Sequence, residues 1–140
     1  MPQPIPYLSF NGNCEQAMRF YETALRGKLE KLVRNADTPW AYDVPEEQRP
    51  LIVHACLNLD GNGQLFAGDC CQRQPYEGMK GVSLALTYDS VEEATRIFNA
   101  LAAEGNVTMP LQPAFWAKIW GMLVDRFGTT WIINGELQTY

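Results

Sequence analysis

The stretch from Phe115 to Asn134, FWAKIWGMLVDRFGTTWIIN, reads as a complete two-stranded hairpin, and a fainter copy of it lies earlier in the chain. Lys118 to Asp125 and Thr129 to Asn134 are rich in Ile, Val, Trp and Thr, which suit a pleated, half-buried surface. Between them Arg126-Phe127-Gly128 supplies a turn, with glycine where positive φ is needed. Shifting the sequence back by 65 places lays Asp125 on Asp60, Gly128 on Gly63 and Trp131 on Phe66, so His54 to Asp69 reads as the same hairpin.

Upstream of each hairpin the order of elements also repeats. Ile5 to Phe10 reads as a strand ended by Asn11-Gly12-Asn13. In Glu15 to Arg26 the apolar residues Ala17, Phe20, Tyr21, Ala24 and Leu25 recur at helical spacing, with Asn13 as N-cap and Gly27 as stop. Lys28 to Ala36 is a strand, and Asp37 to Pro50, with Pro39, Pro45 and Pro50 around Trp40, is a surface loop. Leu51 to Leu59 and Gln64 to Cys70 form the first hairpin, and Gln72 to Met79 is a linker that joins the halves near residue 76.

From Gly81 the same order begins again: strand Val82 to Tyr88, helix Val91 to Ala103 capped by Asp89 or Ser90, then strands to Asn134. At an offset of 77, Glu15, Ala17, Arg19 and Tyr21 fall on Glu92, Ala94, Arg96 and Phe98. Helix and hairpin repeating in one order predict a single α+β domain of two tandem βαβββ modules, about residues 4–72 and 80–136. Together the modules would make a curved eight-stranded mixed sheet with helices on the outer face and an inner cavity, the default binding site.

Composition narrows the partners. A chain of 140 residues that is 46% hydrophobic can bury a full core without metal or disulfide staples. Eleven basic against sixteen acidic residues give a net charge of −5, and no basic stripe is present, so nucleic acid is not an expected partner. Neither a signal peptide nor a membrane-length apolar stretch is visible, and the expectation is a soluble, cytoplasmic protein. Cys14, Cys56, Cys70 and Cys71 lack metal-site spacing and read as buried free thiols.

Strand parity sorts side chains between the two faces of a sheet. Val82, Leu84, Leu86 and Tyr88 belong under a helix, leaving Ser83, Ala85 and Thr87 for the cavity. In the first hairpin Val53, Ala55, Leu57 and Leu59 belong to the helix side, and His54, Cys56 and Asn58 look inward. Pairing Leu59 with Gln64 across the turn sets His54 opposite Asp69. That pair could act as acid and base, or His54 could be a structural hydrogen-bonder. In the second hairpin the same rule makes Trp120, Met122 and Val124 core, with Ile119 and Gly121 inward opposite Asn134 and Ile132. Phe115 and Trp116 belong either to the cavity rim, gripping an apolar ligand, or to the core. Trp40 could be a lid or an interface anchor, and Asp60 and Asp125 are turn residues.

With the repeat established, PYLSFNGNCEQAMRFYETAL, HACLNLDGNGQLFAGD and MPLQPAFWAKIWGMLVDRFGTTWIIN resemble the PhnB-like branch of the glyoxalase, bleomycin-resistance and extradiol-dioxygenase superfamily, also called vicinal oxygen chelate proteins. The branch is sometimes labelled a demethylubiquinone methyltransferase domain, but the glycine-rich strand-turn-helix that such a cofactor implies is missing from this chain. The resemblance implies metal ligands at one position on each of four strands. Those positions hold Pro6, Ala67, Ser83 and Ile132, so no metal and no other cofactor is expected. It also implies a homodimer, for which Trp40 and Tyr42 in the long loop are available.

Two functions follow. One is a metal-free protein that binds a small molecule in the cavity, using Ser83, Phe115, Trp116, Asn134 and Cys56. The alternative is a glyoxalase-type lyase, isomerase or transferase using His54 with Asp69 as acid-base pair or as atypical metal ligands.

Overall fold

Two βαβββ runs make up the chain. The first comprises β1 (Tyr7–Phe10), α1 (Cys14–Ala24), β2 (Lys28–Arg34), β3 (Ile52–Asn58) and β4 (Gln64–Asp69). The second comprises β5 (Leu84–Tyr88), α2 (Val91–Ala102), β6 (Asn106–Gln112), β7 (Ala117–Val124) and β8 (Thr130–Leu137). The computed structural model describes residues 2–69 and 76–139. Cys70, Cys71 and the first half of the expected linker, 72–75, therefore lie outside the described residues. The chain divides into two compact units after Gly78.

Each unit has the same sheet topology, β1-β4-β3-β2 in the first and β5-β8-β7-β6 in the second. The first and last strands of a unit run parallel (β1 with β4, β5 with β8), and the other pairs are antiparallel. This is the expected α+β pair of tandem modules. Hydrogen bonding, however, divides the eight strands into two four-stranded sheets instead of one continuous sheet.

The helix stripes form the cores. In the first unit α1 buries Cys14, Ala17, Met18, Tyr21 and Ala24, and the sheet contributes Leu8, Phe10, Ala55, Leu57, Leu65 and Ala67. In the second, Ala94, Ile97, Phe98 and Leu101 of α2 meet a sheet whose buried side chains include Leu123, Trp131 and Ile133. Each large apolar side chain so buried contributes roughly 1.5–3 kcal/mol. Val82, expected under the second helix, instead precedes β5 and is exposed.

Helix termini differ between the units. Ser90 caps α2 in the ordinary way, its hydroxyl accepting from Glu93 N at 3.1 Å. Asn13 occupies the N-cap position of α1, but its side chain makes no capping bond. Gly27 follows the end of α1 for a reason other than a left-handed φ, which falls at Arg26 (55°). A Cβ on Gly27 would sit 2.6 Å from Asn58 O, so the glycine permits close approach of α1's exit to β3.

The loop after β2 contains three single 3₁₀ turns, at Asn35–Asp37, Ala41–Asp43 and Glu46–Gln48. Asn35 Nδ2 donates to Gln48 O at 2.9 Å, and Arg49 Nε donates to Ala41 O at 3.0 Å. These bonds hold Tyr42 (88% exposed) and Trp40 (46% exposed) outward. No described helix is long and apolar enough to cross a membrane.

Both hairpin loops are one residue longer than the sequence reading. The ladders close at Asn58 with Gln64 and at Val124 with Thr130, leaving 59–63 and 125–129 as loops. Equivalent hairpin residues are therefore 66 places apart, not 65. In the second loop Asp125, only 4% exposed, takes Phe127 N (2.8 Å) and Thr129 N (3.1 Å) on one carboxylate oxygen and Trp131 Nε1 (2.8 Å) on the other. Its turn-stabilising role is thus as expected.

Candidate functional site

In the first sheet, buried Ala55, Leu57, Leu65 and Ala67 face α1, which puts His54, Cys56, Asn58, Gln64 and Phe66 on the opposite, helix-free face. These five side chains line an open groove of about 240 Å³, flanked by Glu30 and Lys31 of β2. The His54 ring packs edge-on to Phe66 at 5.2 Å and stacks with Tyr7 at 6.1 Å. Tyr7 Oη donates to Val53 O at 3.1 Å. It can do so because Gly68 has no Cβ, which would lie 3.0 Å from that hydroxyl. Burial, with a smaller contribution from Cys14, raises the Tyr7 phenol above its ordinary pKa.

At the other end of the groove Gln64 Nε2 donates to Asn58 Oδ1 at 2.9 Å. The Cys56 sulfur lies 3.7 Å from both Asn58 Oδ1 and Gln64 Nε2, so it braces the pair from the side. Sequence parity places His54, Cys56 and Asn58 on this face, but the expected pairing of Leu59 with Gln64 would put Gln64 and Phe66 under the helix. The observed pairing of Asn58 with Gln64 and Cys56 with Phe66 overturns that. The buried alternation of Leu65 and Ala67 is the signal that could have found them.

Asp69 is not part of this face. Its Oδ1 accepts from Gly12 N (3.0 Å) and Cys14 N (2.9 Å) at the start of α1, and its Oδ2 accepts from Ile52 N (2.8 Å). The expected His54–Asp69 pair does not form, because the true register of β3 and β4 runs Cys56 with Phe66 and Ala55 with Ala67. Continued, it brings His54 beside Gly68, whereas Asp69 shares the α1 side with Ala67. Asp69 replaces Asn13 as the cap of α1. Burial first, then the Asp69 and Glu15 carboxylates, push the Cys14 thiol up to about 12.

In the second sheet the expected parity of β7 is inverted. A Cβ on Gly121 would meet Phe98 of α2 at 2.8 Å, so Gly121 and fully buried Leu123 face the helix. Trp120 and Met122 lie on the helix-free face, paired with Asn134 and Ile132. There Trp116 Nε1 donates to Asn134 Oδ1 at 3.0 Å, and Asn134 Nδ2 donates to Thr87 Oγ1 at 3.4 Å. The Trp116 ring lies 5.2 Å from Trp120 and 4.9 Å from Phe115, which is 70% exposed. The Lys118–Glu136 ion pair (2.6 Å) ends this row. Ser83 precedes β5, exposed, and joins none of these contacts.

The four superfamily metal positions do not fit a metal. Ala67 is buried toward α1, Pro6 and Ser83 precede their strands, and Ile132 has no lone pair to give. Substituting the helix-free neighbours Tyr7, Phe66 and Ala85 adds no carboxylate or imidazole. Among the described residues no three His, Cys, Asp or Glu side chains converge.

A family model described as 3-demethylubiquinone-9 3-methyltransferase matches residues 2–134. The chain belongs to this family. The sequence resemblance implies that this family is the PhnB-like branch of the glyoxalase and bleomycin-resistance superfamily. Protein YjdN of Escherichia coli (strain K12) is 31% identical over 137 residues, covering 92% of each chain. The crystal structure of protein PA1353 from Pseudomonas aeruginosa is 46% identical with a TM-score of 0.88, over 97% of this chain and 98% of that one. A Bacillus cereus structure, described as a putative 3-demethylubiquinone-9 3-methyltransferase, PhnB protein, shares the fold at 24% identity and a TM-score of 0.78, over 96% and 99%.

Proposed function

We propose that the protein binds a small molecule on the helix-free side of its sheets and does so without the superfamily metal. The observation that carries this reading is the groove of the first sheet, where rings of His54 and Phe66 stand beside the Asn58–Gln64 amide pair, with no convergent set of metal ligands among the described residues. Aromatic surface beside a few polar groups is how small ligands are held and oriented. The aromatic row of Phe115, Trp116 and Trp120 with Asn134 supports the same reading for the second sheet. The acid-base alternative loses support, because the Asp69 carboxylate is committed to three backbone N–H groups.

Native mass spectrometry before and after denaturation, with elemental analysis of protein prepared without chelator or affinity tag, tests the proposal. The expected result is a releasable small-molecule adduct and far less than one equivalent of divalent metal. Stoichiometric zinc, nickel, manganese or iron, lost on mutating His54, would overturn it. A homodimer through the loop carrying Trp40 and Tyr42 is part of the same proposal, and light scattering at high micromolar concentration should return twice the 15.8 kDa chain mass.

A further inference from the structure

The Asn58–Gln64 pair has more hydrogen-bonding capacity than the protein uses. Each primary amide offers two N–H donors and a carbonyl acceptor. One carbonyl and one N–H are consumed within the pair, at 2.9 Å. On this assignment the Asn58 NH₂ and the Gln64 carbonyl are left for the groove. Exchanging O and N in both amides only exchanges which residue donates and which accepts. Either way one acceptor and one donor remain, on two residues that are direct partners across the ladder.

That edge is placed for a ligand. Asn58 and Gln64 line the groove of about 240 Å³ that contains His54 and Phe66, and also an adjoining one of about 320 Å³ bounded by Leu59 and Gly63. The pair therefore stands between two open spaces and holds its geometry by itself. The Cys56 sulfur on one side and the β3–β4 ladder, in which Asn58 and Gln64 are direct partners, keep both amides from swinging away. A preorganised donor and acceptor of this kind lose little order on binding.

We propose that this amide pair reads a donor-acceptor edge on the ligand, of the kind carried by a lactam, a cis amide or a pyridone-like ring. The ring itself then lies toward Phe66 and His54. This proposal rests on the small-molecule reading above and adds the chemical class to it. A site built to hydrogen-bond such an edge discriminates strongly against an analogue lacking it, since its own polar groups are then desolvated without partners.

The test titrates 2-pyridone, and 1-methyl-2-pyridone as the analogue without the N–H, into the protein while following the side-chain NH₂ signals of Asn58 and Gln64 and the His54 ring by NMR. Saturable shifts with 2-pyridone are expected, with affinity about tenfold weaker for the N-methyl compound. Asn58→Asp keeps the shape but turns the edge into two acceptors. It should weaken 2-pyridone about tenfold and make benzamidine, which presents two donors and a positive charge, the better ligand.

Equal binding of the two pyridones, or an Asn58→Asp variant that keeps its preference for 2-pyridone over benzamidine, overturns the edge reading and leaves small-molecule binding standing. No shift in any groove signal at millimolar 2-pyridone also overturns it. The co-purified adduct in native mass spectrometry then decides separately whether the small-molecule reading falls as well.

Discussion

The Asp69 carboxylate lies 2.9 Å from the Cys14 backbone N–H, so the last residue of β4 caps the first turn of α1 across 55 positions of chain. The same carboxylate takes Ile52 N at 2.8 Å and ties β3 to that junction. Asp69→Asn puts an NH₂ against one of these N–H donors. It should lower stability by about 1–3 kcal/mol, read as a lower urea midpoint with an unchanged slope. A midpoint equal to the parent's would show that the cap is not what holds the helix start.

Stability should fall in alkali. Burial raises the Cys14 thiol from 9.0 to about 12 and the Tyr88 phenol from 10.0 to about 12. Both groups are neutral in either state below pH 9, so their contribution is fully present there. Above about pH 9 for Cys14 and about pH 10 for Tyr88 the unfolded chain ionises first, and stability is lost up to the folded values, by as much as about 1.4 kcal/mol per pH unit for buried Cys14 and by less for half-buried Tyr88. Urea midpoints measured from pH 8 to 11 should therefore decline, and Cys14 should resist iodoacetamide at pH 9 until the protein is unfolded.

Gly121 has no room for a side chain. A Cβ there would stand 2.8 Å from Phe98 Cε2, 2.9 Å from Met109 O and 3.1 Å from Leu111 Cδ2. Gly121→Ala should cost about 1–3 kcal/mol by calorimetry, through displacement of α2 or β6. A variant as stable as the parent would mean that β7 does not pack so closely on α2.

Trp116→Phe keeps a ring against Trp120 but removes the N–H that holds Asn134 at 3.0 Å. The expected loss is about 1 kcal/mol of stability, with a changed near-ultraviolet dichroism because a coupled indole pair is broken. An unchanged spectrum would place the two indoles out of contact in solution.

The repeat was legible because helical and strand periodicities are carried by many residues at once, as Ala17 and Tyr21 echoed by Ala94 and Phe98 show. Register was not. Asp and Gly mark a hairpin turn whether it holds four residues or five, and one residue turns a strand over. Parity survived in β3, where polar His54 and Asn58 alternate with Ala55 and Leu57. It failed in β7, where Trp120 and Met122 are as apolar as Leu123, and only the pressure of Phe98 on Gly121 tells the faces apart. Asp69 was misplaced because a carboxylate that binds distant backbone N–H groups leaves no pattern in the sequence around it.

The parallel pairing of β1 with β4 also has a consequence during synthesis. Tyr7 to Phe10 leave the ribosome well before their ladder partners, Phe66 to Asp69 of the unit's last strand. Until residue 69 has emerged, β1 has no strand beside it and α1 has no cap, so the amino-terminal unit closes in one late step instead of accreting hairpin by hairpin.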